Sequence, residues 1–261
     1  MLLSFLTVAV GALLVYLGFG VEGGLAAFPL AYVVVLLLSF FFLRNLSRAG
    51  NERVAITGLG SYTGLTLLAI LAITMLTNVD VVLAKHYLST TDAGNYSAIS
   101  VLGRVALYAP LGVATAMFPK TSELFERGGD YRRVFLKAML IALLIAGGVV
   151  LVYGLFPQFI TQFLFGNKYP LATPYLLTYG LAMALFALSF VTMRYFLSIN
   201  QTKVAYSLLG AMLLQLALIA LFHSSIAQLV NIMLICSIVC IISMLPFYLR
   251  HRRQTSGKGG G

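Results

Sequence analysis

The chain has 261 residues, 61% of them hydrophobic and 9% charged, with a formal net charge of +10 and a strongly positive mean hydropathy. A soluble globule of this composition would have no polar surface, so hydrocarbon must be its outer solvent. In a soluble domain such a basic balance would suggest nucleic acid; here the cations stand in short gaps beside apolar runs, where they orient helices and meet anionic lipid headgroups, and no nucleic acid is expected.

Runs of about 20 apolar residues bounded by charged or turn residues predict spans near 2–18, 25–43, 58–84, 94–118, 134–156, 172–198, 204–222 and 226–249. The expected fold class is therefore all-α, a polytopic membrane helix bundle of about eight transmembrane helices. Of the 17 Lys and Arg residues, 14 fall in alternate gaps. Arg44, Arg48 and Arg53 follow the second run, and Lys120, Arg127, Arg132, Arg133 and Lys137 follow the fourth. Arg194 and Lys203 flank the sixth gap, and Arg250, Arg252, Arg253 and Lys258 follow the last run. The other gaps hold only Lys85 and Lys168, so the positive-inside rule predicts both termini in the cytoplasm.

The first run starts at residue 2 with no Lys or Arg before its apolar core, which favours a membrane helix over a secretory signal. Gly60 and Gly64 form a GxxxG pair that permits close helix approach. Pro110 lies in the middle of the fourth run and predicts a kink. The segment PKTSELFERGGDYRRVFLK (119–137) mixes apolar residues with both charge signs, as a connecting loop or a short interfacial helix does. Pro157, Pro170 and Pro174 bracket a loop whose Phe and Tyr residues suit the membrane interface, and the Gly-rich end GKGGG predicts a disordered tail.

Ionisable residues in hydrocarbon cost about 2.5–3.5 kcal/mol on insertion scales, so each needs a partner, a watery cavity or a function. Asp80 shares a helical stripe with Tyr62, Thr66 and Thr77, which suggests a water-lined interior face. Arg104 is the deepest cation, and Ser97, Ser100, Arg104 and Tyr108 recur at three- and four-residue steps on its helix. A guanidinium so placed can hold phosphate or carboxylate bidentately; the alternatives are an ion pair with Asp80 or a snorkelling side chain. Lys85 and Arg194 lie near interfaces and can snorkel. Gln215, in mid-span, is either a cargo contact or, like Gln228 and Asn231, an interhelical hydrogen bonder. Cys236 and Cys240 stand four apart as small buried side chains, with no His or acid beside them to complete a metal site.

Catalysis is not expected. The chain has no paired intramembrane carboxylate, no HExxH, no Ser with a plausible His and acid, and no phosphate-cradling Gly loop. His86, His223 and His251 fall at span ends or in loops. No cofactor is implied, and no nucleotide domain supplies ATP.

Four phrases in order then carry a resemblance: NVDVVLAKHYLSTTDAGNYSA at 78–98, ATAMFPKTSELF at 114–125, LFPQFITQFLFGNKYPLATPYL at 155–176 and FLSINQTKVAY at 196–206. Over residues 54–249 the chain resembles the polysaccharide flippases of the multidrug/oligosaccharidyl-lipid/polysaccharide exporter superfamily. The resemblance implies two six-helix lobes around a central cavity. Residues 54–249 would be the second lobe, 1–53 two helices like the end of the first, and 250–261 a basic, disordered cytoplasmic tail. It also implies about four further helices ahead of residue 1, so a complete cavity would not be expected from this stretch of chain alone. The implied activity is translocation of a polyprenyl-pyrophosphate-linked oligosaccharide across the cytoplasmic (inner) membrane for cell-surface polysaccharide synthesis. Its partners would be the lipid-linked oligosaccharide, membrane lipids and polysaccharide-assembly proteins. Arg104 would meet the anionic head, Asp80 would tune that site or carry a coupling cation, Tyr62 and Tyr108 would meet sugar rings, and Ser100 and Gln215 complete the candidate set. Competing readings are a cation-coupled multidrug exporter, a non-transporting scaffold subunit and a membrane glycosyltransferase. A deep Arg speaks against cationic drugs, and the lack of acidic clusters speaks against the glycosyltransferase.

Overall fold

A computed structural model describes residues 2–46, 59–166 and 168–256, and among these every regular element is helical. The chain divides into two compact units, Met1–Ile56 and Thr57–Gly261.

In the first unit α1 (Leu2–Leu14) passes through a π-helical turn, Val15–Phe19, into α2 (Gly20–Leu46). Gly18 (φ 92°) and Gly20 (φ 52°) take up left-handed backbone there, which a residue with a Cβ adopts only with strain, and the helix breaks at this point. Small residues let α1 and α2 approach: a Cβ on Gly11 would stand 3.4 Å from that of Ala27, and Ala27 and Ala31 are buried. Phe5, Tyr16, Phe28 and Phe40 face outward, as side chains toward lipid do. The 2–18 run corresponds to α1 and the π-helical turn, with Gly18 in left-handed backbone near its end; among the described residues it forms an apolar helix, Phe5–Phe19. Seven helices among the described residues are long and apolar enough to span a membrane, against the eight expected.

The second unit contains α3 (Leu59–Tyr87), α4 (Thr90–Tyr108), α5 (Leu111–Glu126), α6 (Tyr131–Leu155), α7 (Pro157–Phe165), a 3₁₀ turn (Pro170–Tyr175), α8 (Leu176–Ser198), α9 (Val204–Leu221) and α10 (Ile226–Ser256). Its axis is α8, on which α4, α5, α6 and α10 pack, while α9 packs on α3 and α10. Tyr179, Ala182, Met183, Phe186, Ala187 and Val191 of α8 have no exposed surface. A helix apolar on every side belongs in the centre of a bundle, and α8 is one. α6 is a peripheral helix: Ala138, Ala142 and Ala146 face inward, while Leu140, Leu144, Leu151 and Leu155 are exposed.

Local chemistry sets the breaks. Ser89 caps α4 by accepting from the Asp92 N–H at 3.1 Å, and its hydroxyl donates to the Asp92 carboxylate at 2.9 Å. Asp130 caps α6 through the Arg133 N–H at 3.2 Å. At Pro110 the fourth run breaks as expected: α4 ends at Tyr108 and α5 starts at Leu111, since proline has no N–H to continue the ladder. The 119–137 segment is neither a free loop nor a separate interfacial helix. Its first two turns are the end of α5 and its last residues open α6, with 127–130 as the turn.

The α5–α6 and α8–α9 turns lie at one end of this unit with Lys120, Arg127, Arg132, Arg133 and Lys203; the opposite end carries Lys85 and Lys168. Ion pairs at the basic end are local and exposed: Arg127–Glu123 at 3.0 Å, Arg133–Asp130 at 2.7 Å and Lys120–Glu123 at 3.3 Å. Such pairs contribute at most about 1 kcal/mol each. Beneath them lies an aromatic layer in which Phe135 stacks on Tyr195 at 4.1 Å and Arg132 Nε donates to the Tyr248 hydroxyl at 3.1 Å. Arg48, Arg53 and Lys258 lie outside the described residues, as does the GKGGG segment.

Gly180 tests this packing. A Cβ there would stand 2.6 Å from Cδ2 of Tyr153, whose hydroxyl is held by the Leu102 carbonyl, so the ring cannot easily withdraw. Gly180→Ala is expected to lower stability by about 1–3 kcal/mol in thermal unfolding followed by circular dichroism. Gly112→Ala, with nothing within 4 Å of the added methyl, should match or slightly exceed wild type.

Candidate functional site

The α3–α4 hairpin brings two distant ionisable residues to one place. Asp80 lies seven residues before the end of α3 and Tyr96 six after the start of α4, about 10 Å from the turn on each helix. Arg104 is two turns deeper, but helical side chains lean toward their own N-terminus, so on antiparallel helices Asp80 and Arg104 lean toward each other. A third helix closes the group, because α8 places Tyr179 against both.

The Asp80 carboxylate has no exposed surface. Its Oδ2 accepts from the hydroxyls of Tyr96 at 2.8 Å and Tyr179 at 2.6 Å, and the Tyr179 hydroxyl also lies 3.2 Å from Ser100 Oγ. The two tyrosine rings meet edge to face, 5.8 Å apart at 86°. The Tyr179 ring occupies the space that a Cβ at residue 103 would need, so Gly103 permits the contact between α4 and α8. Arg104 Nη2 stands 3.6 Å from Asp80 Oδ1, a charge pair too long to be a hydrogen bond. Among the described residues Asp80 Oδ1 and Arg104 Nε and Nη2 are buried without a hydrogen-bond partner. The Arg104 side chain is 20% exposed, against 0% for Asp80. The carboxylate is therefore enclosed by α3, α4 and α8, while the Arg104 side chain is partly exposed and its unpaired Nε and Nη2 are buried.

Asp80, Arg104 and Ser100 are brought together, and the other candidates are not. Gln215 Nε2 donates to the Leu76 carbonyl at 3.1 Å and approaches Met233 Sδ at 3.0 Å, tying α9 to α3 and α10. Tyr62 donates to the Leu197 carbonyl at 3.2 Å. Tyr108 is 54% exposed, outside the cluster. The face expected to be water-lined is packed at Thr77 and Asp80, because α4 and α8 cover it; Thr77 turns its hydroxyl back to the Ile73 carbonyl at 2.9 Å. Arg194 lies over the rings of Phe190 and Phe118, 5.2 and 5.9 Å from their centroids. Gln228 accepts from the Ser224 N–H at 2.9 Å, a local cap for α10. Cys236 and Cys240 are buried free thiols, and no group of three or more metal-binding side chains occurs among the described residues.

The sequence reading missed Tyr96 and Tyr179. Tyr96 stood in the 78–98 phrase, two turns before Arg104 on its helix, and that spacing could have placed it level with Asp80. Tyr179 is 99 residues from Asp80, and no local pattern signals the pairing.

A bundle of long apolar helices with a buried charge pair in its interior defines a multi-pass helical membrane protein. A family model described as polysaccharide biosynthesis protein matches residues 1–174, and the chain belongs to that family of membrane flippases. The match overlaps the resemblance read from the sequence over 54–174 and does not extend to the end of the second unit. No curated protein and no solved structure matches the chain.

Tyr179→Phe leaves Oδ2 with one donor and should cost about 1–3 kcal/mol of thermal stability. In an Asp80→Leu background, where no carboxylate needs the hydroxyl, the same substitution should cost much less, and a double-mutant cycle measures the difference.

Proposed function

We propose that this chain takes part in moving a polyprenyl-pyrophosphate-linked oligosaccharide from the inner to the outer leaflet of the cytoplasmic membrane, with Arg104 meeting the pyrophosphate. A charged sugar-bearing head cannot cross hydrocarbon unaided, since unpaired charges in a low dielectric cost many kcal/mol. The transporter must replace water with fixed donors along the path. The observation that carries the reading is a guanidinium inside a membrane-spanning bundle whose side chain stays 20% exposed beside a fully buried carboxylate, while its buried Nε and Nη2 lack hydrogen-bond partners. A guanidinium matches phosphate oxygens. Family membership supports the cargo class.

In this reading Asp80 positions Arg104 and balances its charge between cargoes, while Tyr96 and Tyr179 hold Asp80. Tyr108, exposed four residues beyond Arg104, is available to a sugar ring. Ser100, Gln215 and Tyr62 are engaged in bonds between helices and act as framework. Residues 54–249 form the second of two lobes that open alternately to each side of the membrane, and 1–53 supply the last two helices of the first. The basic end faces the cytoplasm by the positive-inside rule, where it meets anionic lipids and polysaccharide-assembly proteins. Cationic drugs are the poorer cargo because they would approach a buried cation.

The test is translocation of a fluorescent lipid-linked oligosaccharide in proteoliposomes. Arg104→Ala should reduce the rate about 10- to 100-fold, the equivalent of one charge-assisted contact set, with Arg104→Lys intermediate. Asp80→Asn should reduce it less. Undiminished rates at normal protein levels would remove both residues from the cargo path.

A further inference from the structure

The opposite end of the second unit carries a pocket that the Asp80–Arg104 cluster does not use. It has a volume of about 420 Å³, within the range of small-molecule sites, and lies between α7 and the 3₁₀ turn. Its walls include Gln158, Thr161, Gln162, Tyr169 and Thr173, with no acidic or basic side chain among them.

The sequence of α7 explains this arrangement. Gln158, Thr161 and Gln162 fall on one face of the helix at 100° per residue. Phe159 and Phe163 lie on another, 67% and 77% exposed and stacked at 5.8 Å, as side chains inserted into an interfacial lipid layer would be. One face of α7 thus suits lipid and another presents amides to the pocket. Thr161 fixes the two walls: it is buried, its Oγ1 bonds the Thr173 hydroxyl at 2.8 Å, and it bonds back to the Pro157 carbonyl at 3.0 Å. Gly166, at φ 60°, turns the chain between them. Tyr169 is held edge-on to Phe165 at 5.5 Å and packs over Gly94, where a Cβ would stand 3.5 Å from its ring. Lys168 lies over the Tyr169 ring, 5.7 Å from its centroid.

We propose that this pocket is a binding site for a neutral saccharide. The amides of Gln158 and Gln162 make no hydrogen bond within the described residues, and each offers both donors and an acceptor, as sugar hydroxyls require. The Tyr169 ring, with the Lys168 ammonium over it, lines the pocket beside these amides and adds apolar surface of the kind sugar C–H groups cover. Phosphate would call for Arg, and a divalent cation for carboxylates; the pocket walls hold neither. The inference extends the translocation reading, because a sugar site here lies apart from Arg104 and would receive the head at the far side of the membrane.

The experiment compares two nonionic detergents with the same dodecyl tail, n-dodecyl-β-maltoside and dodecyl octaethylene glycol ether, bound to the purified chain and counted by native mass spectrometry. The wild type should retain the maltoside in clear preference to the polyether. Gln158→Ala with Gln162→Ala, both exposed positions, should reduce that preference about tenfold, whereas Phe163→Ala on the lipid-facing side of α7 should keep it. Equal retention of the two detergents by the wild type overturns the proposal. So does a preference that survives the double substitution, or one that Phe163→Ala abolishes equally. A preference alongside undiminished translocation in Arg104→Ala leaves the pocket standing and removes the Arg104 reading; translocation lost in Arg104→Ala without a preference does the reverse.

Discussion

The second unit depends on how one carboxylate is buried. Asp80 sits in a helix otherwise fit for hydrocarbon, and at that depth an ionised side chain has no water to solvate it. Its solvation comes from protein: one hydroxyl from α4, one from α8 and the charge of Arg104. Each donor must arrive from a different direction, so meeting the carboxylate fixes how α3, α4 and α8 sit together. Two features of the packing accommodate this. Gly103 makes room for the Tyr179 ring, and the Ser89 cap holds the hairpin turn that puts Tyr96 level with Asp80. The arrangement is costly to assemble and costlier to break, since removing one partner strands a charge.

The same group is asymmetric in a way that bears on function. A site built only for stability would pair guanidinium and carboxylate side by side at hydrogen-bonding distance. Here the tyrosines satisfy Oδ2, the guanidinium stays 3.6 Å from Oδ1, and its Nε and Nη2 donors remain uncommitted. The guanidinium is held by charge, and its unpaired donors lie buried in the packing.

Much of the architecture was legible because the membrane leaves few choices. Backbone polar groups in hydrocarbon must be satisfied within the segment, so long apolar runs become helices, and each run from 58 onward falls on described helices, although α5 continues to Glu126 and α10 to Ser256, beyond the expected ends at 118 and 249. Pro110 announced its break for a similarly local reason. Other features depended on contacts at long range. The 2–18 run reads as an unbroken span, and nothing local in it announces the π-helical turn at Val15–Phe19. Thr77 and Asp80 form a polar stripe that suggests water, and a stripe cannot reveal whether water or another helix covers it. Gln215 looked equally suited to cargo and to packing until its amide met the Leu76 carbonyl 139 residues away.

The sequence by itself determined the solvent, the helical class, the segregation of charge between alternate gaps and the two unusual ions, because these follow from hydropathy, spacing and the cost of charge in hydrocarbon. The tertiary structure decided what those ions do. It enclosed Asp80, left Arg104 partly open and recruited Tyr179 from a helix 99 residues away. It also joined α7 to the 3₁₀ turn so that two glutamines of α7 became one wall of a pocket. The reason is physical: burial and hydrogen-bond satisfaction belong to sets of residues brought together by packing, and no local pattern encodes which sets will meet.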